Sequence, residues 1–305
     1  MFSRNFKNSA RHFFFALSMG FLFTSVGAVS AAANEKALPE KIVIGIGPGG
    51  NPEAIRVQAL ELAELLKKEF DRPFEIFVSN NYEGLVSAMK EGRVDFAFFS
   101  SMTYVLAEKE AQAKVLLKKV WNEPFYFSAI IVQKKSKIKT LSQLKGKSIA
   151  FVDEKSASGY LYPQVGLQKN GIKNSDFKNI KYSGNHAQSV KMLEAGEVDA
   201  AATFSDDKKG NLSAWKKFGT NFKNFKMIWI SEPIPTDPFC VRQGFYDIYP
   251  KFTHSLMFFL IDTFEKHKSS KKFEEVLGLK DLMPATSAQY DPVREMVKAL
   301  GVAPQ

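Results

Sequence analysis

Short apolar runs alternate with amphipathic stretches from residue 41 to about residue 204, and this alternation constrains the fold more than any other feature of the chain. Lys41–Ile46 reads as a strand. Asn51-Pro52-Glu53 then supplies an N-cap, a proline at the first helical position and an early acid. The helix that follows carries Ile55, Leu60, Leu62, Ala63 and Leu66 on one side and runs to about Phe70. Phe74–Val78 is a second strand, Tyr82–Gly92 a helix stopped at glycine, and Val94–Phe99 a buried strand. Strand, helix and strand in this order imply βαβ units and a parallel sheet. With 45% hydrophobic and 24% charged residues, and apolar clusters that never merge into one long run, the composition excludes collagen-like, disordered and polytopic membrane chains.

The unit occurs twice. Met89–Ala97 and Leu193–Ala201 share a helix end, a glycine, Val-Asp and a strand at an offset of 104 residues, which points to two related halves. Between them Gln133–Lys139 is polar and basic and reads as a crossing point, with an ordinary solvated loop as the alternative. Later strands are expected at Ser148–Val152, Ile180–Ser183, Val198–Phe204 and residues 226–230, before a proline-rich return at Glu232–Pro238. From about Gln243 the pattern is mostly helical, with Phe252, Phe258, Phe259 and Phe264 expected in the core.

The first 33 residues read as a cleavable secretory signal. Arg4, Lys7 and Arg11 form a positive start, Phe13–Val29 an interrupted apolar stretch, and Ala31-Ala32-Ala33 a small-residue cleavage site. Export to the periplasm follows. A single cysteine, Cys240, cannot form an intramolecular disulfide and is expected as a small buried hydrophobe. The formal charge of +10 is compatible with nucleic acid, an anionic surface or an anionic ligand, and its sign does not choose among them.

Three segments carry chemistry. Gly45-Ile-Gly47-Pro-Gly-Gly50 fits a dinucleotide-binding turn, but Pro48 and Pro52 alter that turn and an exported chain lacks the cytosolic cofactor pool. Ser156-Ala157-Ser158-Gly159-Tyr160 follows a strand and opens a helix, so two hydroxyls and free first-turn amides suit a tetrahedral oxyanion. A serine acting only as a helix cap is the other reading of this segment. His186 stands where another helix starts, and a lone histidine is more often structural than a ligand contact. With no His-Glu-x-x-His, no paired cysteines and no Gly-x-Ser-x-Gly elbow, enzymatic readings are weak. A secreted phosphoester hydrolase is the remaining enzymatic alternative.

The run Ser156–Pro163 resembles the anion-binding loop of the phosphonate-binding proteins of ABC importers. Gly184-Asn-His186, Gly196-x-Val-Asp199 and Pro233-Ile-Pro-x-Asp-Pro238 continue the same order. The resemblance implies an α/β, two-lobed type II periplasmic-binding-protein fold, each lobe a mostly parallel sheet flanked by helices. Lobe 1 is expected at 34–133 and 239–305 and lobe 2 at 134–238, closing on ligand by hinge motion. It implies a small phosphonate-type anion and an inner-membrane ABC permease as partners, with no nucleic acid, metal, cofactor or catalysis. A receptor that signals rather than imports is the alternative use of the same fold.

Carried over by position, the resemblance implies Ser156, Ser158 and His186 on the phosphonate oxygens, with Tyr82 completing the clamp. Asp206 and Asp237 match the acids that hold the ammonium of aminoethylphosphonate in relatives, although Asp206-Asp207-Lys208-Lys209 also reads as a solvated turn. Two positions depart from the pattern. Phe99 stands where an aminoethylphosphonate binder offers a tyrosine hydroxyl, leaving Ser100, Ser101 or Tyr104 to replace it, and Ala157 offers only its amide where a hydroxyl is common.

Overall fold

In a computed structural model, residues 36–48, 52–266 and 280–301 are described, so the expected signal segment and the end of the glycine-rich turn lie outside the described residues. The first sheet contains β1 (Ile42–Ile46), β2 (Phe74–Val78), β3 (Phe96–Phe98), β4 (Ala113–Val120), β11 (Pro238–Arg242) and β12 (Asp281–Pro284), in the order β12–β4–β11–β3–β1–β2. The second contains β5 (Phe125–Gln133), β6 (Ser148–Phe151), β7 (Asn179–Tyr182), β8 (Ala200–Ser205), β9 (Phe225–Ile230) and β10 (Ile234–Pro235), in the order β10–β5–β8–β6–β7, with β9 also pairing with β5. The βαβ pattern accounts for the parallel half of each sheet. β1 pairs in parallel with β2 and β3, and β6 with β7 and β8. The strands β11 and β5 add the antiparallel halves as the chain passes from one sheet to the other.

The helices follow from local chemistry. In α1 (Pro52–Phe70), Glu53 lies in the first turn and Lys67 and Lys68 in the last, each matching the helix dipole. α2 (Tyr82–Lys90) starts at Asn81, whose side chain accepts the Gly84 N–H, and α5 (His186–Glu194) starts at Asn185, which accepts the Gln188 N–H. Both stop at a glycine in the left-handed region, Gly92 (φ 73°) and Gly196 (φ 76°), where a β-carbon is costly. α3 (Ser101–Glu110), α4 (Tyr162–Lys169), α6 (Ala214–Phe218), α7 (Gln243–Ile248), α8 (Pro250–Lys266) and α9 (Asp291–Ala299) complete the described helices. Among the described residues no helix is long and apolar enough to cross a membrane.

The repeated Gly-x-Val-Asp has a structural cause. Asp95 accepts the Val43 N–H of β1 at 3.1 Å, and Asp199 accepts the Ser148 N–H of β6 at 2.8 Å. Each carboxylate ties the segment after its helix to the neighbouring strand. Gly45 is required by packing, because a β-carbon there would lie 2.4 Å from Leu85 Cδ1.

Two expectations are corrected. β5 belongs to the second sheet, so the first crossing is Trp121–Pro124, between β4 and β5, and the return is Thr236–Asp237, between β10 and β11. Gln133–Lys139 is instead a turn at the end of β5. Lys134 N–H remains bonded to Asn224 O and Ser136 N–H to Gln133 O, which holds the segment on its own sheet. The two crossing segments bond to each other, with the Thr236 N–H donating to Pro124 O at 3.4 Å. In α8, Phe264 is buried and Phe252 and Phe259 pack against the core, but Phe258 is 64% exposed because it lies on the outward side of the helix. Cys240 is buried and free.

Candidate functional site

The helix starts converge on the space between the sheets. In the second sheet, β6 leads into Ser156, whose Oγ accepts the Gly159 N–H at 3.1 Å, and Ala157–Leu161 then forms one π-helical turn leading into α4. Gly159 lies tight against the strand end: an added β-carbon would come within 2.4 Å of Val152 and 2.8 Å of Ser156 Oγ. Val152 N–H donates to Gly159 O, and Val152 O accepts the Gly184 N–H, so the serine turn and the turn before His186 hang from one strand end. Beneath them Ser128 Oγ donates to Ser158 O at 2.6 Å, and Ser231 Oγ accepts the Ser128 N–H at 2.9 Å. This buried network fixes the backbone that presents Ser158.

From the first sheet, Tyr82 enters as the first residue of α2 and its hydroxyl is hydrogen-bonded to the Ser156 side chain. Burial pushes the phenol well above its ordinary range, so Tyr82 is a neutral hydroxyl. Ser101, the first residue of α3, lies 3.2 Å from the Tyr126 hydroxyl, which is also bonded to the Ser158 side chain. Burial likewise keeps Tyr126 neutral. Tyr126 thus meets Ser101 and Ser158, and Tyr82 meets Ser156, so hydroxyls of α2, α3, the serine turn and β5 lie together. The starts of α2, α3, the serine turn and α5 supply first-turn amides that no helical carbonyl can take, with the positive ends of their dipoles. Such an arrangement suits an anion without needing a free cation.

His186 is buried at the start of α5 with Nδ1 3.1 Å from Thr203 Oγ1 and its ring edge-on to Phe204. Burial drives its pKa down to about 4, so the ring is neutral at pH 7. Thr203 thus engages Nδ1 of the ring rather than Nε2.

The charge of Asp237 adds to the rise of the Asp206 carboxyl. Burial raises both, Asp206 to about 7, while Lys119 acts against the rise at Asp237. The Asp237 carboxylate also accepts the Ser101 N–H. Asp206 N–H bonds Leu212 O at 2.6 Å, closing the turn that the Asp-Asp-Lys-Lys run suggested, and its side chain is half-buried.

The remaining candidates lie elsewhere. Tyr104 gives its hydroxyl to Glu108 Oε1 at 2.6 Å and packs edge-on against Tyr290, so it is turned into the first lobe. Phe99 and Ala157 are buried in an apolar cluster that includes Leu85, Met102 and Leu161. Ser100 is the cap of α3, with Oγ 2.6 Å from Thr103 Oγ1. Tyr126 is the residue that the sequence reading lacked. It lies at the start of β5, at the true crossing, and Pro124-Phe-Tyr-Phe was the only local signal.

A second signal lay in the repeat. Ser79, Asn81 and Tyr82 stand 104 residues before Ser183, Asn185 and His186, the same offset as the two glycine stops. Ser79 Oγ donates to Asn81 O at 2.7 Å, and Ser183 Oγ donates to Asn185 O at 3.0 Å. Each half thus builds the same capped turn, and Tyr82 and His186 occupy its corresponding position.

Comparison with known proteins gives a consistent result. Residues 44–290 match the model of the family described as "ABC transporter, phosphonate, periplasmic substrate-binding protein". The chain is 26% identical over 296 residues to the phosphate-import protein PhnD of Mycolicibacterium smegmatis, covering 87% of this chain and 88% of that protein. It is 27% identical over 287 residues to the phosphonates-binding periplasmic protein of Escherichia coli, covering 92% and 81%. The crystal structure of Prochlorococcus marinus PhnD1 in complex with methylphosphonate superposes with a TM-score of 0.75 at 21% identity, covering 87% of this chain and 99% of that one. Fold, repeated turn and family match agree: this chain belongs to the phosphonate-binding periplasmic substrate-binding proteins of ABC transporters, binding components rather than enzymes.

Proposed function

We propose that the cleft between the two sheets captures a phosphonate-class oxyanion and delivers it to an inner-membrane ABC permease. Tyr82, Ser101, Tyr126, Ser156 and Ser158 supply hydroxyls to its oxygens, and His186 Nε2 completes the set. The observation that carries this reading is the meeting of hydroxyls from both sheets at three helix starts and the strand β5. Charge-assisted hydrogen bonds to an oxyanion are about twice as strong as neutral ones, so many neutral donors suffice. Lobe 1 then comprises the chain up to Pro124 and from Thr236 onward, with lobe 2 between them. Residues 1–33 act as the export signal, and cleavage after Ala33 is checked by the mass of protein recovered from a periplasmic extract.

A thermal-shift titration of ligand-stripped protein with 2-aminoethylphosphonate, methylphosphonate, phosphite, phosphate and sulfate tests the ligand class. Ligand at about 100 times its dissociation constant adds about 2.7 kcal/mol to stability. Phosphorus oxyanions are expected to raise the transition above the sulfate control. A transition unmoved by all of them excludes the proposed ligand class.

A further inference from the structure

The acid half of the cleft already contains a cation. Lys119, the penultimate residue of β4 before the chain crosses, places Nζ 3.5 Å from Asp237 Oδ2 and 5.4 Å from the centre of the Phe98 ring. Its side chain is only 16% exposed. The main chain fixes the pair as well: Lys119 N–H donates to Asp237 O at 2.9 Å, and Thr236 Oγ1 donates to Lys119 O at 2.5 Å. With the Ser101 N–H on the same carboxylate, Asp237 has an ammonium and an amide as partners before any ligand arrives.

This arrangement has two consequences for a ligand. A ligand amine seeking Asp237 must displace an ammonium tethered in place, which loses far less freedom on pairing than a free molecule does, or else sit beside it at like charge. An anion held by Ser101 and Tyr126, by contrast, meets an Asp237 whose charge Lys119 already offsets. We propose that Lys119 is a specificity residue whose ammonium occupies the place a ligand's amino group would need, so that the cleft selects phosphonate-class anions carrying no amine. The inference rests on the reading of the cleft given above and narrows its ligand.

The test is calorimetric titration of ligand-stripped wild type, Lys119→Met and Lys119→Arg with 2-aminoethylphosphonate and with ethylphosphonate, its amine-free counterpart of matched length. Wild type and Lys119→Arg are expected to bind ethylphosphonate at least tenfold more tightly, and Lys119→Met to move that ratio at least tenfold toward the amine. Tenfold corresponds to about 1.4 kcal/mol. Wild type that holds the amine equally or better overturns the proposal, as does an unchanged ratio in a Lys119→Met protein with native circular dichroism. Should Lys119→Met not fold, Lys119→Gln takes its place, and the wild-type preference alone still decides. Wild type that binds neither compound, nor phosphite or phosphate, overturns the reading of the cleft itself, whereas retained binding in the wrong order overturns only the role of Lys119.

Discussion

At the scale of single residues the proposed cleft relies on neutral hydroxyl donors beside partly buried acids. In the proposed reading Ser158 faces only what every ligand of the class shares, the oxyanion. Ser158→Ala is therefore expected to weaken phosphite, methylphosphonate and phosphate alike by about tenfold, the worth of one charge-assisted hydrogen bond. Calorimetry on the three ligands checks this, and a selective loss would remove Ser158 from the oxyanion. Asp206 has a distinct signature in stability. Burial raises its pKa to about 7 from an ordinary 3.8, so the folded state holds the proton more firmly than the unfolded chain does. The carboxyl therefore reduces stability increasingly as pH rises from about 4 to 7. Lys217 and Lys280 oppose this rise, and Asp237 and Asp207 add to it. Asp206→Asn should raise the melting temperature of the apo protein at pH 8 and leave it nearly unchanged near pH 4. An equal effect at both values would show that the carboxyl is not held in its acid form.

Elements decide whether these side chains arrive together. The serine turn is held by glycine at one point, because the Gly159 α-carbon lies against Val152 and beneath Ser156. Gly159→Ala inserts a methyl where no room exists, and overpacking of this kind costs about 1–3 kcal/mol. A lower melting temperature together with weaker anion binding is expected, since the clash displaces both Ser156 and the strand end that supports His186. Loss of stability with wild-type affinity would show that the turn tolerates the shift. The capped turns at Tyr82 and His186 illustrate how far the chain could be read at this level. Asn caps, glycine stops and the Val-Asp pair are visible within a dozen residues, and all are where their chemistry places them. The strand β4 and the antiparallel β5 and β11 carry no comparable local mark.

Across the whole molecule the two lobes touch through few polar contacts. Lys155 beside the serine turn pairs with Glu83 of α2, and Thr103 Oγ1 lies 3.4 Å from Lys155 O. Glu83 is 71% exposed, so the pair is worth at most about 1 kcal/mol and is screened by salt. Lys155→Ala is expected to weaken ligand binding no more than about fivefold at low salt, with the difference vanishing near 1 M salt. A salt-independent loss would mean that Lys155 acts through the backbone of the serine turn instead. The tighter union is the apolar cluster that joins Ala157, Leu161 and Tyr162 to Leu85, Met102 and Val293, so side chains from both lobes share one core.

The sequence by itself determined the parallel strands of the two repeated halves, the helices between them with their starts and stops, and that hydroxyls and a histidine stand at those starts. These properties follow from periodicity, capping and glycine conformation, which act over a few residues. Only the tertiary structure decided where the chain crosses between lobes, that Tyr126 reaches Ser101 and Ser158, that Tyr104 turns away, and that Lys119 meets Asp237 across 118 residues of chain. Those contacts depend on which strands become neighbours. Strand pairing is set by the packing of whole sheets, and no local pattern encodes it.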